Sequence, residues 1–500
     1  MQSDEVISAS SEFASLRWKR EFDIQGQSLK ATMKRRDFIS ATGTAALMQV
    51  AAAPAAPLTL KGITASMPLE ERIRRIQSFV HHRYYSEKGL LYSHLNFEEE
   101  RPHTEADLAG ADPNNLGIPK HDIQNFENSP MNSGIFLAGQ CFRYMVTKEP
   151  EALEFAARAF RSIEVNYSLG EQAAEGPAVV MQRAGSIDPN DRFAARAGWI
   201  SKPYGQMMTT QTSTEQNFGP VCGMHIYRQL APPKTKARID SMIVNIADLW
   251  MQMGYKINFF GENWEFEKSM PRAQRHMPVW AWVNRVAYDV SGERRFLREF
   301  QRLDALFGSM PTAQQTNFGL GREKYISTED RAFHDKEVAV ANGLIDMEPQ
   351  SKDRYVRAMA GWWKFAQIGM RDDLFAYYYI ELNTVTGEWK PLAKSIKPRQ
   401  LWNSPSMWQN GVFPVCWGET AARLALSSPM LAHRSPAHRE AALAMANRIF
   451  AKLDHGHLRY MTDPDNVLEP PLKYLTNLLS GDALAYYPTG YWYGRLQKLW

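Results

Sequence analysis

The sequence predicts an all-α chain whose helices pair into hairpins and close into a ring, and three observations carry that prediction. Apolar residues recur at spacings of three and four along most of residues 57–500. Short turns holding a helix breaker or an N1 proline join the periodic stretches in pairs: Lys148-Glu149-Pro150, Ala231-Pro232-Pro233-Lys234 and Ser291-Gly292-Glu293. Longer loops rich in Trp, Tyr, Asn and Gly separate the pairs, at about 86–130, 168–212, 254–277, 309–329 and 384–411. Loops of that length in a compact domain usually carry function.

The first helix is read from Leu69-Glu70-Glu71-Arg72-Ile73-Arg74-Arg75-Ile76-Gln77-Ser78-Phe79-Val80. Further helices are expected at Ser133–Val146, Pro150–Tyr167, Ser213–Leu230, Thr235–Met253, Val279–Val290, Glu293–Phe307, Asp330–Leu344, Asp353–Gly369, Val412–Ser427 and Ala437–Leu453. Strand signals are few, Leu90–Leu95 and Phe375–Ile380. No Ser/Gly linker or charge block divides 57–500, so a single domain is expected there, large enough that a closed repeat architecture suits it.

Residues 1–56 read as an N-terminal extension and export signal. Met33-Lys34-Arg35-Arg36-Asp37-Phe38-Ile39 has the twin-arginine pattern, followed by a weakly apolar run from Ala41 to Ala53 and an Ala/Pro stretch that a signal peptidase would cut. The run is about half of the roughly 20 residues a membrane span needs, so no stable anchor is expected in the mature chain. A periplasmic or secreted location follows, with translation starting at Met1 or Met33.

Removing 1–56 takes away seven Lys/Arg and six Asp/Glu, leaving +3 of the +4 formal charge. Basic residues are interspersed with acids, which excludes a nucleic-acid footprint. Cys141, Cys222 and Cys416 are too few for a disulfide framework and read as buried free thiols. There is no phosphate loop, nucleophile elbow or dinucleotide fingerprint, and no cofactor is expected. Asp454-His455-Gly456-His457 and Asp463-Pro464-Asp465-Asn466 lack metal-ligand spacing and read as solvated turns, so no metal is expected.

Three stretches together resemble the six-hairpin, (α/α)6-toroid carbohydrate-active enzymes, which include unsaturated glucuronyl hydrolases and toroid polysaccharide lyases. They are Asn125-Phe126-Glu127-Asn128-Ser129-Pro130-Met131-Asn132-Ser133-Gly134 running on to Gln140, Gln211-Thr212-Ser213-Thr214-Glu215-Gln216-Asn217-Phe218-Gly219, and Trp417-Gly418-Glu419-Thr420-Ala421-Ala422-Arg423 running on to Leu426. The resemblance implies an (α/α)6 toroid with aromatic-rich loops on one rim and a carbohydrate substrate.

Glycosidic hydrolysis needs one carboxyl to protonate the leaving oxygen and another to activate water or attack carbon. Asp122, Glu127 and Glu215, at loop-to-helix junctions among amides and hydroxyls, are the catalytic candidates. Acids in a first helical turn also satisfy the macrodipole, which is the competing structural explanation. Trp264, Arg275, His276, Trp402, Trp408 and Gln216 are the substrate-binding candidates, the aromatics as stacking platforms and the polar groups as partners for hydroxyls or a carboxylate. A glycoside hydrolase is the first reading. The alternatives are a lyase using His276 as base, with His94 and His225 as further histidines, and a non-catalytic glycan-binding protein.

Overall fold

A computed structural model describes residues 58–104, 106–108, 126, 128–173, 181, 214–252, 254–255, 270–309, 417–434, 436, 439–460 and 474–500. The described residues are mostly helical: α1 (Leu69–Arg83), α2 (Ser129–Thr147), α3 (Pro150–Ala173), α4 (Thr214–Tyr227), α5 (Pro233–Gln252), α6 (Met270–Ser291), α7 (Arg294–Ser309), α8 (Trp417–Arg434), α9 (Arg439–Lys452) and α10 (Gly481–Leu496). Two short strands, β1 (His94–Asn96) and β2 (Leu478–Ser480), pair antiparallel with His94 opposite Ser480. The helices expected at 330–344 and 353–369, and the strand at 375–380, lie outside the described residues.

The hairpins follow from their turns. Lys148 closes α2 with φ of 60°, its N–H bonded to the Tyr144 carbonyl, and α3 starts at Pro150, whose missing N–H costs nothing in a first turn. Glu149 in that turn accepts from Arg74 of α1 at 2.8 Å and from buried Arg143 of α2 at 2.7 Å, tying three helices together. Gly292, at φ of +72°, makes the corresponding reversal between α6 and α7. On α1, Glu70 and Glu71 sit in the first turn and Arg83 in the last, matching the macrodipole. Arg72 donates to the Phe450 and Leu453 carbonyls, capping the C-terminal end of α9 from outside.

Helix α8 packs against α10, α10 against α2, and α2 against α4. Each is backed by a second helix: α9 on α8, α1 on α10, α3 on α2 and α5 on α4, while α6 pairs with α7. Contact positions rise together along neighbouring helices. Asn132 meets Gly481 and Gly139 meets Thr489, Met131 meets Gly219 and Gly134 meets Gly223, and Ala425 meets Gly490. The four helices therefore run parallel, with their N-terminal ends on one rim. At the α2–α4 crossing the approach is backbone to backbone: a Cβ on Gly134 would stand 2.0 Å from the Gly219 oxygen, and one on Gly223 2.2 Å from the Gly134 oxygen.

Two features depart from the expected pattern. Residues 270–277, expected in a loop, form the first turns of α6, because Pro271 sits where proline is tolerated at a helix start. Helix α10 has no counterpart in the expected set. Nearly all of Gly481–Gly494 is buried, so the helix carries no amphipathic stripe, and Pro488 interrupts its reading.

A candidate active site at a shared helix rim

The rim where α2, α4 and α10 begin gathers buried polar side chains. Asn128, the N-cap residue of α2, makes no side-chain cap to its own helix. Its Oδ1 instead accepts from Gln216 Nε2 of α4 at 3.0 Å, and Gln216 Oε1 accepts from the Met131 backbone N–H at 3.2 Å. The cap that α2 lacks locally is thus supplied in trans by α4. The Asn128 N–H donates to Ser93 Oγ, and the Ser93 carbonyl accepts from the Tyr84 hydroxyl and from the Gly481 N–H, which brings α10 into the same network. On the outer side of α2, Asn166 Nδ2 donates to Ser129 Oγ at 3.2 Å, and Ser162 joins Ser133 Oγ and the Leu91 N–H.

Three adjacent helix N-termini add their partial positive charges at this rim, which favours carboxylates placed there. Glu215 is the second residue of α4, and its neighbour Gln216 is fully buried. Phe218 and Cys222, three and seven positions further along α4, are half-buried, as are His225 and Ile226. Trp282 of α6 closes this side, its ring 5.3 Å from Phe218 and 6.3 Å from His225, edge-on to both. Tyr92 stacks on Phe126 at 5.0 Å, placing a further aromatic pair beside the start of α2. These rings set apolar surface beside the polar rim.

Titration is controlled by burial here. Burial lowers the His94 imidazole to about 3, with His103 adding to the effect, so it stays neutral at ordinary pH. His94 packs edge-on to Tyr460. Burial also lowers His225, whose Nδ1 has no hydrogen-bond partner among the described residues. The Cys141 thiol is pushed far above its usual range by burial, and Cys222 up to about 11. Both are free thiols, and Cys416 lies outside the described residues. Asp454 accepts from the His457 backbone N–H at 3.1 Å and contacts its Nδ1 at 2.7 Å, closing a local turn.

Of the residues expected from sequence, Gln216 is placed in full, bridging the Asn125–Gln140 and Gln211–Gly219 stretches. The Trp417–Leu426 stretch lies on α8, which packs against α10. Glu215 is placed by its backbone on α4, and Arg275 and His276 by theirs on α6. Asp122, Glu127, Trp264, Trp402 and Trp408 lie outside the described residues. Sequence reasoning passed over Trp282, Asn132 and Asp482. Trp282 stands at helical spacing, where it reads as core, and Asp482 belongs to the helix with no periodicity.

No family model matches the chain, and no curated protein matches it. Among solved structures it is similar to a crystal structure of D-mannose isomerase. That similarity has a TM-score of 0.43 at 11% identity and covers 86% of this chain and 97% of the other. It assigns no residue a role. Among the described residues, no helix is long and apolar enough to cross a membrane.

Proposed function

We propose that this chain is an exported glycoside hydrolase built on an (α/α)6 toroid, acting on an oligo- or polysaccharide that includes uronic acid units. The observation that supports it best is the Asn128–Gln216–Met131 linkage. Glu127 precedes Asn128 and Glu215 precedes Gln216, so covalent connectivity keeps the two candidate carboxyls within one residue of the same bridge. Carboxyl pairs in glycosidases stand about 5 to 9.5 Å apart, a range that this anchoring permits.

In this reading the shared positive helix ends hold one carboxyl ionised as base or nucleophile, while the other donates its proton to the leaving oxygen. Gln216 positions both segments. Trp282 and Phe218 offer apolar faces to a sugar ring, alongside Trp264, Trp402 and Trp408 from the loops. Arg275 and His276, early in α6, bind a substrate carboxylate, and Asp122 supports the acid pair. A six-hairpin ring needs one pair beyond the five described, α10–α1, α2–α3, α4–α5, α6–α7 and α8–α9, and the helical periodicity of the sequence at 330–344 and 353–369 is the proposed source of it.

Incubation of the purified mature protein with neutral and acidic polysaccharides tests this. New reducing ends without the ultraviolet absorbance of an unsaturated uronate support hydrolysis. Both signals rising together would mean elimination and move the search for a base to His276. Amino-terminal sequencing of the exported protein tests the signal assignment, with a new terminus expected between Ala41 and Leu58.

A further inference from the structure

Asn132, in the first turns of α2, has no exposed surface, yet neither its Oδ1 nor its Nδ2 has a hydrogen-bond partner among the described residues. Buried polar atoms are almost always paired, so an amide with both ends open is costly compared with a leucine filling the same space. Its Nδ2 abuts the start of α10: a Cβ on Gly481 would stand 2.6 Å from it and 2.3 Å from the Ser93 carbonyl oxygen, which together explain glycine at that position. The next residue is Asp482, a carboxylate with 1% exposure in the first turn of α10. Burial pushes the Tyr84 hydroxyl well above its usual range, with nearby Asp482 adding to the effect, and that hydroxyl donates to the Ser93 carbonyl shared with Gly481. One turn deeper on the same face of α10, Tyr486 is only half-buried.

We propose that Asn132 and Asp482 form a binding clamp for a vicinal diol of a sugar ring, on the same rim as Glu215. A carboxylate accepts from one hydroxyl, while the amide donates to the neighbouring oxygen and accepts from its proton, which matches the paired donor and acceptor of a diol. The ligand class rests on the glycosidase reading, but the clamp is an assignment of its own. The open amide is satisfied when the ligand arrives, and removing it trades activity for stability.

The test compares Asn132→Leu, Asp482→Asn and Glu215→Gln with wild type. The probes are a panel of monosaccharides and their deoxy analogues in a thermal-shift assay, and any polysaccharide that wild type cleaves. The clamp predicts that one sugar stabilises wild type and its deoxy analogue does not, whereas Asn132→Leu fails to discriminate. It also predicts that Asn132→Leu unfolds no earlier than wild type while KM rises at least about tenfold, as expected for loss of a hydrogen bond to a charged or polar ligand group. If Asn132→Leu does not fold, Asn132→Ala, which adds no atom, carries the same readouts. Unchanged KM and discrimination in both the Asn132 and Asp482 variants, with Glu215→Gln inactive, overturn the clamp and leave the hydrolase reading standing. A wild type that neither binds nor cleaves any saccharide overturns both.

Discussion

Replacing Gln216 with methionine removes the bridge across the rim while keeping nearly the same volume, so the polar contribution is isolated from a cavity effect. Two groups are orphaned. Met131 is the third residue of α2 and, because Pro130 has no N–H, its second backbone donor; the Asn128 side chain does not cap its own helix, so Gln216 is the acceptor. Loss of a cap costs about 1 kcal/mol, within a range of about 0.5–2. Asn128 Oδ1 is part-buried and loses its donor, a further ~0.5–1.5 kcal/mol. The expected loss is therefore about 1–3.5 kcal/mol, read as a lower midpoint in urea with unchanged slope, followed by tryptophan fluorescence. Gln216→Glu keeps the acceptor for Met131 and loses less. A Gln216→Met midpoint within about 0.5 kcal/mol of wild type would refute the trans-cap.

Gly223→Val should prevent normal packing of α4 on α2, because even its Cβ would lie 2.2 Å from the Gly134 oxygen. A loss of about 3 kcal/mol or more, or failure to accumulate folded protein, is expected by circular dichroism. Gly254→Ala, in open space but at φ of +59°, should cost only about 1 kcal/mol. Hydrogen bonding from Arg74, opposed by burial and reinforced by Arg143, lowers the Glu149 carboxyl from 4.5 to about 2. Such a group stabilises the fold fully above its unfolded pKa, and that contribution disappears as pH falls from 4.5 toward 2. Glu149→Gln should therefore flatten this part of the acid unfolding curve, by a modest amount since the pair is partly solvated. Cys141 and Cys222, both raised by burial, should react slowly with a thiol reagent at neutral pH in the native protein and rapidly after unfolding.

The fold is legible in the sequence where helices are half-buried. Helix α1 shows its Ile73, Ile76, Phe79 and Val80 stripe against charged positions, and the Lys148-Glu149-Pro150 turn locates the α2–α3 hairpin to the residue. Helix α10 is illegible for the opposite reason: buried on almost every side, with Pro488 and a run of tyrosines, it offers no period to read. Strand β2 is three residues long and forms through pairing with β1 and a bridge to Arg459, the first a contact between distant parts of the chain. At the site, the stretches around Asn128 and Gln216 stand out by composition, but that they bond to each other is a tertiary fact. Asn132 lies within the first of those stretches and looks like any polar residue near a helix start. Only the absence of a partner for its buried amide among the described residues distinguishes it.

The most direct test of the account is the turnover of Glu215→Gln on a polysaccharide that the wild type hydrolyses, measured by reducing ends on protein whose unfolding transition matches wild type. Loss of an acid or base at the reacting bond predicts a fall in kcat of about a hundredfold to ten-thousandfold with little change in KM. A variant that turns over at the wild-type rate would contradict the assignment of this rim as a hydrolytic centre.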